Sequence, residues 1–210
     1  MSLSTSIRES DQMSVRKVAL EEAARVRWRN DGGWTREIAM GSAGAGAVDA
    51  AGADSDWDWR ISVAEIEQDG PFSRFPGIDR CLLLLDGAGM SLRRAGQPDR
   101  TVVPSAPRID FPGEDDVDCR LRDGPTRDLN LMWRRSRLVA SIDLVDIDEA
   151  MAWTVNPGVI AVVVHVLVGF VTMAGEPLAM TDTLVLTPPF PDRFQAGGKT
   201  RLVIASFRSH

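Results

Sequence analysis

Apolar and polar residues alternate along this chain in short runs of period two, the pattern of strands with one buried face, and long helical stripes are missing. In residues 59–66 (WRISVAEI), Trp59, Ile61 and Val63 fall on one face, while Arg60, Ser62 and Ala64 fall on the other, because successive side chains leave a strand on opposite sides. Further strands are predicted over 81–85, 129–133, 138–143, 159–171 and 184–186. Turns separate them at Asp86-Gly87, Asn156-Pro157-Gly158 and Gly175-Glu176-Pro177. The one short helical candidate, residues 18–27, can also be read as a strand running into Trp28. Strand and helix do not alternate, so the chain is predicted to be all-β.

A weak internal echo organises these strands. The run 82–92 (LLLLDGAGMSL) is answered by 164–173 (VHVLVGFVTM) about 82 residues later, each reading as strand, glycine turn, strand. The second copy leads into a short hairpin and an alternating strand entered by Asp182. Two similar β-barrel halves are expected, residues 14–104 and 105–208, after a frayed tail at 1–13. The Gly/Ala/Ser/Asp stretch 41–56 reads as a poor strand, a mobile surface loop between two paired strands.

Composition narrows the function. The chain has 210 residues, a formal charge of −6 and a hydrophobic fraction of 44%, enough for a sizeable core. Mild acidity argues against a nucleic-acid partner, and the basic cluster at 133–137 (WRRSR) reads as a solvated strand end or ion-pair site. Two cysteines, Cys81 and Cys119, are too few for a disulfide framework, and with no signal-peptide core this predicts a reduced cytoplasmic protein. The apolar run 159–171 is about half the length of a membrane span and valine-rich, which predicts a buried strand pair rather than an anchor.

The segment 69–80 (DGPFSRFPGIDR) packs two prolines, two glycines and two phenylalanines between apolar runs, which demands a stiff, sharply bent loop. Such loops on a rigid scaffold commonly carry binding groups. In the neighbouring strand Arg60 and Ser62 point together into a small cavity, where a guanidinium would grip a carboxylate through both oxygens. A structural ion pair of Arg60 with Glu37 or Asp79 is the competing reading. Asn30 to Gly33 form a turn, and Thr35 and Glu37 then alternate onto one strand face, as a pocket rim or as an outward hairpin. His165, in the valine-rich strand, is expected to be a hydrogen-bonded core histidine. With His210 the only other histidine, a metal centre built on two or three histidines is not expected.

Taken together, WRNDGGWTREI (28–38), WRISVAEIEQDGPFSRFPGIDR (59–80) and RDLNLMWRR (127–135) resemble the HutD/Ves family of bicupin-like proteins in order and spacing. The resemblance implies a metal-free double cupin of the RmlC-like jelly-roll type, with no cofactor. It further implies association with histidine utilisation, through binding of an intermediate such as urocanate or formylglutamate, or a stress link for Ves members. One departure is Asp31 in an otherwise glycine-rich turn, expected to face solvent or to pair with Arg29 or Arg36. The expected ligand-binding set is Asn30, Thr35, Glu37, Arg60, Ser62, Ser73, Phe75, Asp79 and Asn130, with a small carboxylate metabolite as partner. A metal-independent isomerase or lyase using Glu37, Glu65 or Asp79 as base stays open. So do a docking role for Phe72 and Phe75 and a homodimer through edge strands.

Overall fold

The computed structural model describes residues 13–43, the backbone of 45–49, and residues 57–210. The expected tail lies almost wholly outside the described residues. Numbered β1 to β20 along the chain, the strands form two compact units, one of Ala19–Val139 with His210 and one of Ala140–Ser209 with the residues up to Val18.

In the first unit the larger sheet runs Arg108–Pro112 (β10), Ile78–Asp86 (β7), Thr126–Arg134 (β12), Trp59–Ile66 (β5), Gly33–Ser42 (β3) and Arg25–Arg27 (β2), with Ala45–Asp49 (β4) also on β3. The smaller sheet runs Gly70–Pro71 (β6), Val117–Leu121 (β11), Met90–Arg94 (β8) and Arg100–Val102 (β9). Ile66, Leu84, Met90, Leu92, Val102, Ile109 and Phe111 build its core.

In the second unit the larger sheet runs Val15–Val18 (β1), Thr183–Leu186 (β18), Val159–Val168 (β15), Thr200–Ser209 (β20) and Leu138–Ile147 (β13). The smaller runs Ala150–Ala152 (β14), Arg193–Ala196 (β19), Phe170–Met173 (β16) and Glu176–Ala179 (β17). Val162, Val164, Val166, Leu184, Leu186, Leu202 and Ile204 lie in one apolar cluster.

These orders are the same order written twice. Adding eight to each strand number turns β10-β7-β12-β5 into β18-β15-β20-β13 and β6-β11-β8-β9 into β14-β19-β16-β17. The echo read at an offset of 82 is therefore structural. Gly87, after β7, and Gly169, after β15, take φ of 94° and 85°. A Cβ on Gly87 would sit 2.5 Å from Thr126 Oγ1, and one on Gly169 2.6 Å from Thr200 Oγ1, so each half needs glycine where a threonine opens the partner strand.

Three expectations change. The boundary falls at 139/140, not 104/105, because β10, β11 and β12 pair with β7, β8 and β5 and belong to the first unit. Residues 18–27 contain a single 3-10 turn, Leu20–Glu22, with no side-chain cap at Ala19, followed by β2. Within 41–56, Ala45–Asp49 pairs with β3 instead of looping freely, though the stretch does separate the paired strands β3 and β5. Among the described residues no helix is long and apolar enough to cross a membrane.

Candidate functional site

The inward face of the larger first-unit sheet carries polar residues in register. One row across the strands is Thr35, Ala64, Asp128 and Leu84; the next is Glu37, Ser62, Asn130 and Leu82; the third is Arg60, Met132, Arg80 and Phe111. Strand alternation then directs these side chains to the same side. Of these, Thr35, Arg60, Ser62, Ala64, Arg80, Leu82, Asp128 and Asn130 line a cavity of about 470 Å3, a size that suits a small metabolite, closed further by Trp28 and Asn30 and by the 69–80 loop.

That loop is stiff for the reasons its composition suggested. Gly70 and Pro71 pair with Cys119 and Asp118, the Phe72 amide donates to the Val117 carbonyl, and the Phe75 amide donates to the Gly113 carbonyl at 2.7 Å. Gly77 takes a φ of 78°. Held this way, Phe72, Ser73 and Phe75 face the cavity.

Arg80, at the end of the loop motif, is the cavity's most unusual group. It is 6% exposed, and its guanidinium carbon lies 5.5, 5.6 and 5.0 Å from the ring centres of Phe72, Phe75 and Phe111. Its polar contacts are long: Nε donates to Asn130 Oδ1 and Nη1 to the Ser73 carbonyl, both at 3.4 Å. Among the described residues no carboxylate forms an ion pair with it. Burial, against the attraction of Asp128 and together with repulsion from Arg60, pulls its pKa down to about 10. Arg60 is held from behind, with Nε donating to Glu37 Oε2 at 2.7 Å. Its two terminal nitrogens have no partner among the described residues. Two guanidinium groups thus line one cavity with little negative charge between them.

Asp128 is the cavity's one acidic side chain. It is 1% exposed and its Oδ2 has no hydrogen-bond partner, and burial, opposed by Arg80, raises its pKa to about 7. On the rim the Trp28 indole donates to Thr35 Oγ1 at 2.8 Å, and Asn30 Oδ1 caps its own turn by accepting from the Gly32 amide.

Of the nine expected residues, Asn30, Thr35, Arg60, Ser62, Ser73, Phe75 and Asn130 line the cavity. Glu37 and Asp79 do not. Glu37 serves as the partner of Arg60, the pairing left open from the sequence, and Asp79 lies one residue out of phase with Arg80 and accepts from Arg135 Nε at 2.8 Å. Glu65, the third candidate base, is occupied by Arg36 and Arg25, which outweigh its burial and lower its pKa. Asp31 is exposed and pairs with Arg27 rather than Arg29 or Arg36. Phe72 and Phe75 are half-buried against Arg80, a packing role. The sequence reading passed over Arg80 and Asp128. Alternation would have found both, since Arg80 is in phase with Leu82 and Asp128 with Asn130.

The remaining expectations concern the rest of the chain. His165 is buried, its Nδ1 2.8 Å from Thr183 Oγ1, and burial pushes its pKa down to about 4. The basic cluster is an ion-pair site in which Arg134 and Arg137 flank buried Asp58 and Arg135 bridges Asp79 and Glu114. Among the described residues no His, Cys, Asp and Glu cluster could hold a metal.

The internal repeat shows that the fold does not require this polarity. Strand β7 pairs with β12 as β15 pairs with β20, so Arg80, Leu82 and Leu84 correspond to Val162, Val164 and Val166, and Asp128 and Asn130 to Leu202 and Ile204. Where the second unit places apolar residues of its core cluster, the first has a charged cavity.

The HutD family model matches residues 20–204. Among curated relatives, an uncharacterized 21.2 kDa protein in the hutC 3' region of Pseudomonas putida is 39% identical over 60% of this chain and 62% of its own length. Protein Ves of Citrobacter koseri is 35% identical over 57% of this chain and 58% of its own. These matches span about three fifths of each relative. The structure of HutD from Pseudomonas fluorescens SBW25 superposes with a TM-score of 0.76 at 28% identity, covering 93% of this chain and all of that one. A cupin 2 conserved barrel protein from Leptotrichia buccalis, 11% identical over 92% of this chain and 96% of its own with a TM-score of 0.56, shares the fold. With the doubled strand order and this match over most of its length, the chain belongs to the HutD/Ves family and has the double-cupin fold.

Proposed function

We propose that the first-unit cavity binds a small carboxylate metabolite, an intermediate of histidine breakdown such as formylglutamate or urocanate, and that the protein regulates histidine utilisation through that binding. The observation that carries the reading is Arg80. A guanidinium buried on three aromatic rings without an ion-pair partner, with the terminal nitrogens of Arg60 in the same cavity, is a charge awaiting an anion. Formate is the simplest probe, and the Pseudomonas fluorescens HutD structure is described as that of a formate condition.

The test is thermal unfolding with and without formylglutamate, urocanate, histidine, glutamate and formate. A ligand at about a hundred times its Kd adds roughly 2.7 kcal/mol, a midpoint rise of about 5–10 °C. Arg60→Ala and Arg80→Met remove the response while keeping a cooperative transition. A carboxylate response that persists in both variants refutes the assignment.

A further inference from the structure

Resting on the carboxylate reading, we infer that Asp128 is the second recognition group of the same cavity, and that the ligand is a carboxylate carrying an N–H donor at its other end. The cavity wall is unequal. Arg60, Arg80, Ser62 and Asn130 can all donate, whereas Asp128 is the only acidic side chain among the lining residues. Once ionised it repels a ligand carboxylate and attracts a donor, which fixes the direction in which the ligand lies.

Two observations set Asp128 apart from a structural counter-ion. Arg80 makes no ion pair with it; the guanidinium leans instead to Asn130 and the Ser73 carbonyl. Asp128 Oδ2 is buried without any hydrogen-bond partner, a state that costs free energy until a donor arrives. The equivalent position in the second unit is Leu202, so the fold itself does not call for a carboxyl here.

Register gives the spacing. Asp128 lies one row from Asn130, toward which Arg80 leans, and rows two residues apart on a strand are about 7 Å apart. A ligand whose carboxylate meets the guanidinium groups therefore presents its N–H about 5–8 Å away, the reach of an amide or azole N–H on a short acid.

The experiment measures calorimetric Kd values at pH 8, where the Asp128 carboxyl is ionised, for two matched pairs, urocanate against 3-(2-furyl)acrylate and N-formylglutamate against its O-formyl ester analogue, on the wild-type chain, Asp128→Asn and Asp128→Leu. In at least one pair the N–H member is expected to bind about tenfold or more tighter to wild type, the size of one hydrogen bond to a charged group. That ratio falls toward one in Asp128→Leu and lies between in Asp128→Asn, which keeps an acceptor but no charge. Thermal unfolding of each variant confirms the fold, and the Asn variant keeps the test decisive if Leu does not fold. Equal binding within both pairs, or a ratio unchanged in the variants, overturns the inference and leaves the carboxylate reading intact. No binding of any of the four acids overturns both.

Discussion

Replacing Asp128 with Asn is expected to stabilise the protein above neutral pH and to change little near pH 4. The carboxyl is completely enclosed, and its pKa rises from 3.8 to about 7. A raised carboxyl pKa means that the folded state holds its proton more tightly than the unfolded state. As pH climbs from 4 to 7 the unfolded chain loses that proton while the folded chain retains it, so wild-type stability falls across this window. The full difference, about 3 pH units at 1.36 kcal/mol each, is roughly 4 kcal/mol. The attraction of Arg80 is already contained in that figure, since without it the pKa would be higher still. Asn resembles the protonated acid in shape, carries no charge and escapes the loss. Its own amide also lacks full satisfaction, so the expected gain at pH 8 is about 2–4 kcal/mol. Urea unfolding at pH 4, 6 and 8 measures the difference between the two proteins, and in that difference other titrations, His165 included, cancel. Tryptophan fluorescence is the apt probe because Trp28, Trp34, Trp57, Trp59 and Trp133 all belong to the first unit. A variant less stable than wild type at pH 8, or a difference that does not change with pH, would mean that Asp128 is an ionised partner of Arg80, and the reasoning would fail.

Other consequences are open to direct measurement. His165 carries the opposite sign: its folded pKa of about 4 is below the ordinary histidine value of 6.5, so stability is lost as pH falls from 6.5 to 4, by about 3 kcal/mol. His165→Gln should flatten that acid limb in denaturant titrations at pH 4 and 7, and an unchanged limb counts against the assignment. Arg80→Met should not lower the urea midpoint, because relief of a buried, unpaired guanidinium, on the order of several kcal/mol, offsets three ring contacts worth up to about 2 kcal/mol each. Gly87→Ala and Gly169→Ala should each cost more than about 1 kcal/mol, as both combine positive φ with a Cβ clash, while Gly96→Ala, with φ of 71° and open space, should cost less. Equal midpoints for the three glycine variants would contradict the close approach to Thr126 and Thr200.

Strand alternation made much of the site legible. Arg60, Ser62 and Thr35 were placed correctly because a period of two leaves one choice of face, and the 69–80 loop because its prolines and glycines restrict the backbone. Alternation put Glu37 on the face of Thr35, whereas Asp79 was drawn in by chemistry alone. Glu37 lies on the cavity side but is consumed by Arg60, a pairing that depends on the register of β3 against β5, and Asp79 is simply out of phase with Arg80. Arg80 and Asp128 were passed over because a charged residue in a strand ordinarily faces solvent, although alternation puts Arg80 in phase with Leu82 and Asp128 with Asn130, and the pairing of β7, β12 and β5 then encloses both. The half boundary was misplaced for a related reason. The echo gives the repeat length, but the end of the first half is defined by which strands β10 to β12 bond to, and a single sequence does not record partners.

The two aligned cores also imply a division of labour in how the molecule opens. Val162, Val164, Leu202 and Ile204 fill in the second unit the places where the first carries Arg80, Leu82, Asp128 and Asn130. One copy of the repeat thus keeps these positions apolar, while its twin interrupts the same layer with charge and a cavity. Amide protons of β15 and β20 should consequently be the last to exchange with deuterium, and those of β7 and β12 should slow once the cavity is filled. One duplicated fold then holds an anchor and a responsive element in a single chain, and ligand occupancy would be recorded as a narrowing of the gap in opening free energy between them.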